Sequence, residues 1–159
     1  MLIKTSITLI MMISSLYAAQ IQIKDPCQTI DFISDQIQLL SIDTSVGKIT
    51  EMALEKSKIN YQLNSGSLLS VQSIPTENQK IQIINDYELN AFGWCYKVND
   101  EIPMVLPDDF ILKNSDKINW YIGFTSYNKG NWGSMCLDLE SNLAAKKYFC
   151  EDYKKVDLQ

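Results

Sequence analysis

Any chemistry in this chain has to be done without imidazole or guanidinium, because the sequence contains no histidine and no arginine. That excludes serine–histidine triads, histidine-based zinc sites and imidazole acid–base catalysis. It also removes the side chain best shaped to read phosphates and guanine edges. Carboxylates remain for general acid–base work: Asp108-Asp109, Asp116, Glu88 and Asp100-Glu101. A glycosidase needs two carboxyl groups opposed at about 5–9 Å, and no spacing here imposes such a pair. Adjacent acids after Pro107 read as a solvated turn. The acids from Asp108 to Asp116 do not follow the calcium-binding loop pattern either. No catalytic residue, metal ligand or cofactor is assigned, and the expectation is a protein that is not an enzyme.

Four cysteines, Cys27, Cys95, Cys136 and Cys150, are spaced by 68, 41 and 14 residues. A zinc site of four cysteines usually contains close pairs, which are missing here. There is no histidine to activate a thiolate. The even count reads as two disulfides, and three pairings are possible. The expected one joins Cys95 to Cys136, since Cys95 lies in a strand and Cys136 follows a later hairpin that can neighbour it. The other bond, Cys27 to Cys150, then ties the first strand to the carboxy-terminal segment.

The aromatic residues are the remaining material for binding. Phe92, Trp94, Trp120 and Phe124 recur at strand periodicity among apolar neighbours and read as core. Tyr121 falls on the face opposite Trp120, while Tyr127 and Trp132 flank the turn at Asn128-Lys129-Gly130-Asn131. Rings exposed on such a turn stack on a sugar, a planar ligand or a partner's proline. Tyr121, Tyr127 and Trp132 are the candidate ligand contacts; the competing reading folds Trp132 back over the sheet edge.

These residues need a scaffold and a compartment. Lys4, the apolar run from Ile7 to Tyr17 and the small pair Ala18-Ala19 have the layout of a secretory signal peptide, cleaved after Ala18 or Ala19. The run is too short for a membrane anchor. Residues 1–19 are thus expected to be a leader, 20–150 one domain, and 151–159 a charged flexible tail. The expected location is secreted or periplasmic, where disulfides persist. The chain of 159 residues carries net charge −5, with 14 lysines against 19 acids. Its two lysine pairs, Lys146-Lys147 and Lys154-Lys155, are too sparse for nucleic-acid binding. With 46% hydrophobic residues but only six glycines and four prolines, the composition is that of a globular domain.

The alternation of Ile21 and Ile23 predicts a first strand ended by Asp25-Pro26. Residues around Ile37 fit a strand or a helix about equally. Ser45 is a helix cap, with an apolar face of Ile49, Met52, Ala53 and the stem of Lys56. Lys48 stands where a capping box would want Glu or Gln. Asn64 to Ser67 is a turn, Leu68 to Ile74 an extended piece, and Ile81 to Ile83 a short strand. A strand through Phe92, Trp94, Tyr96 and Val98 ends at an Asn99-Asp100 turn. A second strand carries Ile118, Trp120, Ile122 and Phe124. A short helix near Leu139 to Lys146 follows. One helix against several short strands makes a small α+β domain.

The run Gly93-Trp94-Cys95-Tyr96-Lys97-Val98-Asn99-Asp100, with Pro103, Pro107, Leu112 to Ile118 and Trp120-Tyr121-Ile122-Gly123-Phe124, resembles the transcobalamin-like carboxy-terminal domain family. Val46-Gly47-Lys48-Ile49 stands where that family opens its helix with a Gly-x-Thr-Val run. The resemblance covers roughly residues 21–136 and implies a β-grasp-like fold, a mixed sheet packed on one main helix. Asp100 and Ser115 replace glycines usual in the family, so the turn at Ser115 is expected to use another geometry. The large helical domain that helps transcobalamin-type proteins enclose cobalamin has no counterpart in this sequence. The functional expectation is a noncatalytic binding or interaction module with an unknown protein or a small planar ligand as partner. The alternatives are an accessory structural protein of an envelope assembly and a binder of cobalamin or a similar planar molecule.

Overall fold

Period-two alternation of apolar residues builds the centre of the sheet. The computed structural model describes residues 18–39, 41 and 43–156, the last five as backbone alone. Most of the expected leader, residues 1–17, and the last three residues of the tail lie outside the described residues. Strand β1 (Ala18–Ile23) turns Ala19, Ile21 and Ile23 into the core. Both alanines of the expected cleavage site therefore stand in a strand. β1 pairs antiparallel with β2 (Ile33–Gln38) and parallel with β7 (Lys117–Asn128). The segment around Ile37, undecided between strand and helix by pattern, is the strand β2 because β1 offers it a partner edge.

Helix α1 (Val46–Ser57) follows, then the hairpin of β3 (Tyr61–Asn64) and β4 (Ser67–Val71). β5 (Ile81–Asn85) and β6 (Glu88–Val98) lead to β7, which pairs with β6 along nearly its whole length. The order across the main sheet is β2-β1-β7-β6-β5. Two short strands, β8 (Asn131–Trp132) and β9 (Leu137–Asp138), pair with the far half of β7 on the edge that β1 leaves open. Helix α2 (Leu143–Val156) closes the described chain. The result is an α+β fold, a mixed sheet curled into a half-barrel.

Local chemistry explains α1. The Ser45 hydroxyl accepts the Lys48 N–H at 3.2 Å, and the N–H groups of Val46 and Gly47 donate to the carbonyls of Phe110 and Pro107. The orphan donors of the first turn are thereby satisfied by a loop that crosses the helix end. That crossing is close. A Cβ on Gly47 would collide with Asp108 Oδ1 and lie 2.8 Å from the Gly66 Cα, so only glycine fits there. The buried stripe is Val46, Ile49, Thr50, Ala53 and Leu54, rotated from the expected Ile49–Met52–Ala53–Lys56 face. The rotation has a cause: Trp120 is fully buried and its indole N–H donates to Thr50 Oγ1 at 2.9 Å. Lys56 instead pairs with Asp35 on the surface.

One part of the core lies between α1 and the sheet, around Trp120, Tyr96, Ile21 and Val46. A second part gathers Phe92, Phe124, Leu139, Ala145 and Phe149 under α2. Because Ala145 and Phe149 lie four apart on one face, α2 is anchored well beyond Lys146. It continues to Val156, through the first six residues of the expected flexible tail. Ser115 also departs from expectation: it keeps the left-handed conformation with φ 69°. Its N–H donates to Ala18, and the neighbouring Asp116 carboxylate accepts from Lys113 N–H and Asn99 Nδ2, which over-determines the turn.

Candidate functional site: an aromatic hairpin at one end of the sheet

Strands β7 and β8 place Tyr127 and Trp132 directly opposite each other. Cross-strand neighbours stand close enough for rings to touch, and the two centroids are 5.1 Å apart with planes tilted by 58°. Trp132 is nevertheless 59% exposed. The ring packs on its neighbour and still offers a face to solvent. Lys129 and Gly130 make the tight turn, with φ of 47° and 90°, and Gly130 has open space around it.

The hairpin is held from both sides. Its Lys129 N–H donates to the Tyr87 carbonyl at 2.9 Å, and Asn128 Nδ2 donates to Glu88 at 2.6 Å. Gly133 N–H donates to the Ser126 carbonyl. The Cys95–Cys136 disulfide then fastens the segment after β8 to β6. That segment passes close over β7, since a Cβ on Gly123 would sit 2.7 Å from Cys95 Sγ and 3.0 Å from Cys136 Cα. The second bond, Cys27–Cys150, joins the loop after β1 to α2. Both bonds are the expected pairs, and no cysteine among the described residues is free.

Tyr121 is not brought together with the other two candidates. It is 4% exposed, donates its hydroxyl to the Cys136 carbonyl at 2.9 Å and lies under Lys97, whose Nζ is 4.6 Å from the ring centroid. Burial, with a smaller contribution from Asp138, pushes its phenol up to about 12. Its place is in the brace of the hairpin rather than on the exposed surface. Sequence reasoning missed Tyr87, an exposed ring in the β5–β6 turn whose backbone meets the hairpin. The signal for it was the Asn85-Asp86 pair between two strand patterns, which sets Tyr87 at the same end as Asn128.

Three of the carboxylates weighed for catalysis are engaged within the fold. Asp116 is buried and fully bonded in its turn, Glu88 binds Asn85 and Asn128, and Asp108 lies against the start of α1. Among the described residues no group of three or more acids and cysteines is placed to hold a metal ion. No helix of the described residues is long and apolar enough to cross a membrane. A separate groove of about 640 Å³ runs between the β3–β4 hairpin and β6, lined by Leu69, Ser70, Pro75, Thr76, Phe92 and Trp94.

No curated protein matches the chain. Residues 43–123 match the family described as Domain of unknown function (DUF4430), a span that runs from the approach to α1 to Gly123 in β7. The match includes Tyr121 and stops short of Tyr127, Trp132, α2 and three of the four cysteines. Covering half of the sequence, it establishes that the chain belongs to the DUF4430 family, a transcobalamin-like family.

Proposed function

We propose that this chain is a noncatalytic binding module that works outside the cytoplasm and grips a protein or a small planar ligand with Tyr127 and Trp132. The observation that carries this reading is a tryptophan left 59% exposed on a hairpin that is otherwise fastened by hydrogen bonds and a disulfide. A rigid flat ring loses little conformational entropy on contact and covers a large area, which is why tryptophan recurs at energetic centres of interfaces. The two disulfides fit an oxidising, extracellular or periplasmic location, in keeping with an amino-terminal leader. The structural work of Asp108, Asp116 and Glu88 supports the noncatalytic part. Tyr121 contributes as a brace beneath the hairpin.

Cobalamin, suggested by the family relationship, is one planar ligand to try. Tyr127 and Trp132 lie beyond the segment shared with the family, so it would have to engage features of this chain's own. The test is native mass spectrometry of the protein purified from its own secreted fraction, for wild type and Trp132→Ala. A bound molecule or partner held by wild type and lost by the variant is the expected result. A bare wild-type protein, or equal retention by both, would overturn the assignment of the hairpin.

A further inference from the structure

We infer that the loop between β6 and β7 is a second docking site, separate from the aromatic hairpin, for a protein whose apolar face is rimmed by lysine or arginine. The loop contains the run Ile102-Pro103-Met104-Val105-Leu106-Pro107. Met104 is 96% exposed, and Ile102, Val105, Leu106 and Ile111 are between 43% and 53% exposed. Ile111 belongs with the run, because it lines one hollow with Ile102 and Pro103. Single apolar residues on a surface are ordinary. Five gathered on one loop make a patch of the kind that marks an interaction site.

The backbone explains why these side chains stay outside. Val98 and Glu101 exchange two hydrogen bonds, of 2.8 and 3.1 Å. The Tyr96 hydroxyl donates to the Val105 carbonyl at 2.7 Å, and the N–H groups of Asp109 and Gly47 donate to the carbonyls of Leu106 and Pro107. Pro103 and Pro107 fix two further φ angles. The fold thus engages the polar backbone of the loop and leaves its apolar side chains in solvent. A loop ordered before contact loses less freedom on docking, and the unbranched Met104 at its tip adapts to the surface it meets.

Charge selects the occupant. Asp100 and Glu101 precede the apolar run, Asp108 and Asp109 follow it, and all four are exposed. Among the described residues none of the four forms an ion pair with a lysine. Lys113 is the one cation between β6 and β7. A second copy would set acid against acid across a two-fold axis, and an anionic bilayer would repel the same rim. A protein surface with an apolar centre and a basic border complements both parts of the loop. The site lies about 30 Å from Tyr127 and Trp132, which stand at the other end of the β6–β7 ladder. The two sites can therefore be filled independently.

Fluorescence anisotropy with a labelled amphipathic helix of leucine and lysine tests this, against the same peptide carrying glutamate for lysine. Wild type should bind the lysine peptide, and binding should weaken as salt is raised. Met104→Ser should weaken it about tenfold, with an unchanged circular dichroism spectrum because that side chain is exposed. Glu101→Gln with Asp109→Asn should weaken it and flatten the salt dependence, while Trp132→Ala should leave it unchanged. No binding, equal binding of the two peptides, or a Met104→Ser variant that binds as wild type does would overturn the proposal. So would loss of binding in Trp132→Ala, which would move the contact to the hairpin. Sedimentation of wild type with phosphatidylcholine vesicles, or its self-association, abolished in either case by Met104→Ser, would overturn it in favour of a bilayer or a second copy.

Discussion

Replacing Trp132 by alanine separates a contact residue from a core residue, and the structure sets the magnitudes. A tryptophan buries at most about 250 Å². With 59% of Trp132 exposed, roughly 100 Å² of that is covered, including the contact with Tyr127. At about 25 cal/mol per Å² this is about 2.5 kcal/mol, an upper bound because the unfolded chain also covers part of the ring. Trp132→Ala should therefore cost about 1–2 kcal/mol of folding free energy. Trp120 is 1% exposed, packs 5.2 Å from Tyr96 and donates to Thr50. Its truncation should cost at least about 3–5 kcal/mol, since a cavity is left behind and the buried Thr50 hydroxyl, which still donates to the Val46 carbonyl, loses its donor. A small domain has only about 5–15 kcal/mol in total, so the two variants are easily told apart. The assay is urea denaturation followed by circular dichroism, with binding of the ligand or partner identified on the wild-type protein measured in parallel. Trp132→Ala should bind at least about tenfold more weakly, about 1.4 kcal/mol. Destabilisation equal to that of Trp120→Ala, with the folded fraction binding normally, would refute the reasoning.

Nonreducing peptide mapping should recover Cys27–Cys150 and Cys95–Cys136 and no other pair; replacing either pair by serines should cost about 2–4 kcal/mol, with proteolysis starting in α2 for the first and in the β7–β9 segment for the second. Gly47→Ala should lower stability by about 1–3 kcal/mol as its methyl meets Asp108 and Gly66; adding Asp108→Ala should recover part of the loss and leave the part due to the Gly66 backbone, as thermal melts would show. Alkaline titration followed by tyrosinate absorbance should find Tyr121 ionising near pH 12, with Tyr96 and Tyr61 also raised above a free phenol by burial, and Tyr121→Phe should remove the step near pH 12. Because the folded protein holds this proton more tightly than the unfolded chain, its contribution to stability is complete below about pH 10 and declines as pH rises towards 12.

Strand periodicity made much of the sheet legible. Phe92 to Val98 and Ile118 to Phe124 alternate cleanly, and each strand ends at a turn whose residues accept positive φ, such as Asn99 and Asp100 with φ of 52° and 67°. The cap at Ser45 was equally plain, because a hydroxyl before an amphipathic run has few other uses. What failed to show were features decided by distant partners. β2 is a strand only because β1 lies beside it. The face of α1 is set by Trp120, 70 residues away in sequence, and no helical periodicity encodes that choice. Tyr121 read as exposed because alternation places it opposite the core face. Yet the returning segment from Gly133 to Asp138 covers that side of β7, and period two cannot foresee a cover that arrives later in the chain. Ser115 shows the converse case. Local preference argues for glycine, but the hydrogen bonds around Asp116 hold the left-handed turn against it.

The position of the family match within this fold bears on where function resides. Residues 43–123 hold α1, its glycine-permitted contact with Asp108, and the β6–β7 ladder as far as Gly123. These are the parts that bury Trp120 and make the sheet rigid. From Gly123 onwards β7 leaves the shared segment and carries Tyr127 outward, paired with β6 on one side and with β8 and β9 on the other. The Cys95–Cys136 bond crosses from the shared ladder to this extension over Gly123, so the aromatic pair inherits its stiffness from the common scaffold. On the proposed reading, a scaffold of that kind leaves binding chemistry free to vary at the strand ends, where a change of ring would alter what is gripped without opening the core.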